Sequence, residues 1–262
     1  MTSTSGPDTW KLRTEYQNGS HEVRVLVPET YSKARKYRVL YVLPVEADFE
    51  EEYGYGLGEF QKLEAHNLHD VILVEAGFEI APWYGDHASN PRVRQASFMR
   101  EALVPFIESK YSTLGTSEGR LLIGFSKSGW GAYSLILTYP DFFGYAAAWD
   151  APMFLSDLHY NMEEVFGTIE QLQRYRPDLL IPRQARFFRN RARLVLAGEK
   201  LFGTAGPALG GMSQTVATHE LLVRESIPHH YDDSLSAPHR WDKDWMDPTL
   251  EALMSLTTQP LP

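Results

Sequence analysis

Ser126 lies in Leu121-Leu-Ile-Gly124-Phe-Ser126-Lys-Ser-Gly129-Trp-Gly131, where an apolar run passes directly into a segment of helical spacing. The turn reads G-x-S-x-S-G. A serine held on a tight strand-to-helix turn needs small neighbours on either side. Gly124 and Ser128 meet that demand, and Gly129 lets the following helix lie close against a sheet. Such a turn exposes the hydroxyl and aims the first helical N–H groups, Lys127 among them, at the place where an oxyanion would form. The chemistry on offer is nucleophilic attack by Ser126 on a carbonyl carbon.

The rest of the chain supplies elements that can hold such a turn. Trp10 to Tyr16 and His21 to Val27 alternate in polarity around Gln17-Asn18-Gly19-Ser20, which predicts a hairpin. Arg38 to Val45, Val71 to Ala76, Leu121 to Phe125, Tyr145 to Trp149 and Ala192 to Ala197 are continuous apolar runs, as expected of strands covered on both faces. Helical spacing fills the intervals: Phe98, Ala102, Leu103, Phe106 and Ile107 mark a stripe within Pro91 to Tyr111, and Ser128 to Tyr139 and Ser213 to Ser226 follow later strands. Ile227 to Tyr231 reads as a short last strand and Asp247 to Leu256 as a closing helix. Regular alternation predicts one α/β domain over residues 1–262, with a mostly parallel central sheet, an N-terminal antiparallel hairpin and helices on both faces. Residues 152–182 exceed what a crossover needs and carry Phe154, Tyr160, Met162, Phe166 and Tyr175. An insertion there would sit over the carboxyl ends of the strands, in the position of a lid.

With these elements, the chain resembles the putative-esterase branch of the α/β-hydrolases, which includes esterase D-like enzymes, feruloyl esterases and mycolyltransferases. The resemblance runs from about Val23 to Trp245 and rests on Tyr41-Val-Leu-Pro44, Trp83-Tyr84-Gly85-Asp86, the Gly124 to Gly129 turn, and His239 followed by Trp241. It implies a triad in the chain order serine, acid, histidine. Of nine histidines, His229, His230 and His239 lie near the end of the last strand. His239, in the loop Ser236-Ala-Pro-His-Arg-Trp241, is the expected general base. The acid is open, with two main candidates ahead of Asp232, Asp233 or no acid at all. In the family it usually follows the strand matching Ala192 to Ala197, but the corresponding position holds Leu201, and Glu199 is early in register. Asp150 ends the strongly apolar strand Tyr145 to Trp149, where an unpartnered carboxylate would be costly. Asp150 is preferred and Glu199 is the alternative.

The resemblance also places a second oxyanion donor just past Leu43. Pro44-Val45 stands where the family has His-Gly, and proline has no N–H, so Val45 or Glu46 must donate alongside Lys127. Trp83, Tyr84 and Trp130 are expected pocket walls. The implied reaction is hydrolysis of a small carboxylic ester through an acyl-enzyme, with no metal and no organic cofactor. Acyl transfer or cleavage of small peptides could use the same triad, and a hydrolase fold used only for binding is the alternative of a different class.

Composition narrows the partners. With 43% hydrophobic and 23% charged residues, the chain is expected to be globular, and its net charge of -9 argues against nucleic acid. The arginines at 183, 186, 189, 191 and 193 read as a solvated surface, as does the acidic run Glu46 to Glu52. The absence of cysteine rules out disulfides and thiolate chemistry. Polar residues from Met1 to Asp8 lack the apolar core of a signal peptide, and no apolar run is long enough for a bilayer, so a cytoplasmic protein without membrane contact is expected.

Overall fold

A computed structural model describes residues 6–47, 52–199 and 212–258. Strands β1 (Asp8–Leu12), β2 (His21–Leu26), β3 (Arg38–Val42), β4 (Val71–Ala76), β5 (Arg120–Phe125), β6 (Tyr145–Trp149), β7 (Leu194–Ala197) and β8 (His230–Asp232) form one eight-stranded sheet in the order β1-β2-β4-β3-β5-β6-β7-β8. β2 runs antiparallel to both of its neighbours, and the pairs from β4 through β8 are parallel. This is the α/β-hydrolase arrangement.

Helices α1 (Gly56–Lys62) and α2 (Ala65–Leu68) join β3 to β4; α3 (Gln95–Ser97) and α4 (Val104–Lys110) join β4 to β5. α5 (Ser126–Thr138) follows β5 without a break. α6 (Met162–Phe166), α7 (Ile169–Leu172) and α8 (Pro177–Gln184) fall between β6 and β7, α9 (Gln214–Arg224) precedes β8, and α10 (Lys243–Thr257) follows it. The period of two in the strands divides the core in two. Val39, Tyr41, Leu122, Ala146 and Leu196 pack under the layer containing α4, α5, α8 and α9. Leu40, Val42, Ile123, Ala147 and Val195 face the opposite layer of α1 and α10. Both faces of every central strand are therefore covered, which is why these strands read as unbroken apolar runs.

Three elements depart from the sequence-based expectation for tertiary reasons. The first hairpin strand stops at Leu12 rather than Tyr16. Gln17 bridges to Val93, and the Glu79 carboxylate accepts from both Asn18 N and Asn18 Nδ2 at 2.9 Å, so the would-be turn is bound elsewhere. Between α3 and α4 the helix widens into a π-helical stretch, Phe98–Leu103, just ahead of Pro105. Proline cannot donate to the preceding turn, and the wider turn absorbs that defect. The buried face shifts accordingly: Met99 and Val104 are buried, while Ala102 and Phe106 are half-exposed. The closing helix starts at Lys243, four residues before the expected Asp247, with the Asp242 side chain accepting from Asp244 N.

Candidate active site

β5 and β6 are paired in register, Phe125 opposite Trp149, so the next residue of each strand, Ser126 and Asp150, leaves the sheet at the same level. Both have positive φ, 51° for Ser126 and 44° for Asp150. Non-glycine residues adopt that conformation at a cost, and tightly packed surroundings must enforce it. At Ser126 they do. A Cβ on Gly124 would meet the backbone carbonyl of Ser128 at 2.5 Å, and one on Gly129 would meet Ala151 Cβ at 3.0 Å. Ser128, the departure from a G-x-S-x-G turn, has its own function. Its hydroxyl accepts from Phe125 N at 3.1 Å and donates to Phe125 O at 2.9 Å, tying the turn shut. Lys127 N–H falls in the first helical turn, where it has no intrahelical acceptor.

The Asp150 side chain is 2% exposed. Its Oδ1 accepts from Glu199 N at 2.7 Å, and its Oδ2 lies 3.9 Å from His239 Nδ1. A Cβ on Gly198 would overlap Asp150 Oδ1, so the glycine leaves room for the carboxylate. Burial pushes the Asp150 carboxyl above its ordinary value, against the opposing pull of His239 and the Glu199 N–H. Glu199 approaches Asp150 through its backbone; its carboxylate is turned to Ser236, accepting from the hydroxyl at 2.9 Å. Leu201 lies outside the described residues.

His239 is carried on a loop and held by rings. Its imidazole packs edge-on against Phe125 (5.3 Å) and Tyr53 (6.5 Å) and tilted over Trp149 (5.9 Å). The residues preceding the serine and the aspartate thus both support the imidazole. Behind the loop, Trp241 N donates to Tyr53 O at 2.7 Å and Trp245 Nε1 to Arg240 O at 2.7 Å. His229 is placed elsewhere: its Nε2 is 2.9 Å from His219 Nδ1, while His230 lies in β8.

Ser126 and His239 line one cavity of roughly 390 Å³, together with Val45, Glu46, Tyr53 and Trp83. Lys127 closes one side, its Nζ 2.7 Å from Glu46 Oε1, so the first residue of the acidic run is paired rather than solvated. Pro152, Leu155 and Tyr160, from the segment between β6 and α6, complete the wall. Tyr160 is 88% exposed and stacks on Trp83 at 6.4 Å, and Trp83 Nε1 donates to Asn161 Oδ1. Two expected wall residues need correction. Trp130 is fully buried on α5, edge-on behind Trp83 at 5.6 Å, because α5 turns it into the core. Tyr84 is also fully buried, and its hydroxyl donates to Pro44 O at 2.7 Å. It holds the peptide between Pro44 and Val45 from behind the cavity. Tyr53 and Leu155 had no motif to announce them, since they reach the cavity through loop paths. Beside Asp86, His87 Nδ1 accepts from Ser89 N and Asn90 N.

A hydroxyl on a strained turn, an imidazole in the same cavity and a buried carboxylate behind that imidazole are the groups used in acyl-group chemistry. Known proteins resemble this chain in sequence or in fold. Over 134 residues, half of this chain is 28% identical to Esterase Rv1288 of Mycobacterium tuberculosis strain H37Rv, and the match spans 29% of that protein, less than a third of its length. An S-formylglutathione hydrolase from Agrobacterium tumefaciens superposes with a TM-score of 0.72 at 17% identity, covering 98% of both chains. Mycobacterium tuberculosis MPT51 (FbpC1) does so with a TM-score of 0.72 at 12% identity, covering 97% of this chain and 99% of that one. These two likenesses carry the fold. Residues 14–253, nearly the whole chain and the whole of the cavity's described lining, match the family described as Putative esterase, and the chain belongs to that family.

Proposed function

We infer that the protein hydrolyses small carboxylic esters, with Ser126 as nucleophile, His239 as general base and Asp150 as the acid that orients it. The observation that carries this reading is the buried Asp150 carboxylate 3.9 Å from His239 Nδ1, on the side of an imidazole that shares a cavity with Ser126. That separation is longer than a hydrogen bond, and such contacts commonly tighten when substrate binds. His239 takes the Ser126 proton as Oγ attacks the ester carbonyl, and Asp150 stabilises the imidazolium and fixes its tautomer. The N–H of Lys127 and that of Val45 or Glu46 receive the oxyanion. His239 returns the proton to the leaving alcohol. Water, activated by the same imidazole, then frees the acid from Ser126. The start of the 152–182 segment walls the cavity, with Leu155 and Tyr160 bounding the acyl or alcohol portion.

The test is hydrolysis of short-chain and aromatic nitrophenyl esters by the protein beside Ser126→Ala. Turnover lost in the variant, with Ser126 labelled by a fluorophosphonate in the parent protein, is the expected result. No turnover and no labelling would refute it.

A further inference from the structure

The reaction uses Lys127 and the loop at Val45–Glu46 through their backbones, yet the side chains of Lys127 and Glu46 meet at 2.7 Å on the cavity surface. Neither is a freely solvated surface charge: they are 13% and 33% exposed. Apart from His239, they are the ionisable acid and base among the cavity's described lining residues; the remainder of the wall is apolar or aromatic, with the Ser126 and tyrosine hydroxyls. A charged ligand group entering such a wall sheds water and needs a fixed counter-charge in exchange. Each of the two available charges is already held by the other in a charge-assisted contact.

We propose that the Lys127–Glu46 pair sets the charge selectivity of the pocket: the two charges cancel, keeping it neutral overall and suited to uncharged esters, and loss of either partner alone turns it towards esters whose acyl chain ends in a carboxylate or an ammonium group. The inference deepens the ester-hydrolase reading and rests on it for its catalytic half; its binding half stands on the pair alone. Removing one partner releases the other charge. Glu46→Gln leaves an ammonium that recruits anions, Lys127→Met leaves a carboxylate that recruits cations, and the double variant is neutral again.

Three nitrophenyl esters of equal length test this: hexanoate, the monoester of adipic acid, and 6-aminohexanoate. The matching nitroanilides are titrated against Ser126→Ala protein, with tryptophan emission as the binding signal. The parent protein is expected to favour the hexanoyl ligand by roughly tenfold over either charged one, the effect of about one partly screened charge at contact range. Glu46→Gln raises the anionic-to-neutral ratio about tenfold, Lys127→Met raises the cationic-to-neutral ratio about tenfold, and the double variant restores the neutral preference. Ratios that stay within twofold in both single variants, or that fall alike for every ligand charge, overturn the proposal and leave the pair a structural strap. Absence of any ligand preference by both readouts overturns it as well. If no ester is cleaved while the binding ratios follow the charges, the hydrolase reading fails and the selector stands; cleavage with unmoved ratios is the reverse.

Discussion

Under the proposed triad, replacing Asp150 by asparagine should separate catalysis from folding in this protein. At 3.9 Å, an ionised Asp150 and a protonated His239 attract by about 4 kcal/mol at the effective dielectric typical of protein sites. In the proposed mechanism that attraction exists only once His239 has taken the serine proton, so its loss alone should lower kcat by about a thousandfold. Loss of the imposed tautomer brings the expected deficit to about ten-thousandfold. Stability should move the other way. Burial raises the Asp150 pKa, so between the ordinary value of 3.8 and the higher folded value the native chain holds a proton that the unfolded chain has released. Wild-type stability therefore falls as pH rises through that window, and the loss is complete above it. Asp150→Asn lacks that term and can still accept from Glu199 N, so its Tm relative to wild type should improve between pH 4 and pH 7. The assay is kcat on a nitrophenyl ester beside thermal melts at both pH values, with Glu199→Gln as the comparison. Asp150→Asn within tenfold of wild-type kcat, or Glu199→Gln the more damaged of the two, would refute the reasoning.

Two further substitutions probe how the site is held. Gly124→Ala places a methyl group 2.5 Å from the Ser128 carbonyl, so it should destabilise by about 2 kcal/mol or more, seen as a lowered Tm together with slower fluorophosphonate labelling of Ser126. Unchanged melting and labelling would mean that the turn tolerates a wider opening. Tyr84→Phe removes the donor to Pro44 O, at a cost of about 1 kcal/mol in stability. Because that peptide leads into the proposed second oxyanion donor, kcat should fall about tenfold with KM unchanged; a change confined to KM would assign Tyr84 to ligand binding instead.

Much of this frame was legible before the fold. Continuous apolar strands announced a doubly covered sheet, and the run from Leu121 to Gly131 announced the serine turn, because both are local patterns. That Asp150 would need partners was legible from energetics, as a carboxylate ending the apolar strand Tyr145 to Trp149, and it lies against Glu199 N and His239. What stayed hidden depended on contacts distant in sequence. Tyr84 and Trp130 read as cavity walls because an aromatic beside a motif carries no sign of which way it faces; Tyr84 packs against Gly131 of α5 and donates to Pro44 O, and α5 turns Trp130 in behind Trp83. The pairing of Glu46 with Lys127 links residues 81 positions apart, and a charge run alone could only suggest solvation. The π-helical stretch before Pro105 likewise shifted a stripe that a uniform helical period had placed.

The aromatic packing around His239 gives the chain an optical property as well as a mechanical one. Trp149 and Trp245 stack at 5.0 Å with their planes 6° apart, and Trp241 lies 5.3 Å from Trp245. Trp149 also leans on the imidazole itself. Transitions of indoles stacked so closely couple to one another, so half of the six tryptophans form a single chromophore touching the histidine loop. Its circular dichroism and emission report that loop's conformation rather than the molecule at large, and Trp83, in the cavity wall itself, supplies a separate signal for whatever occupies the cavity.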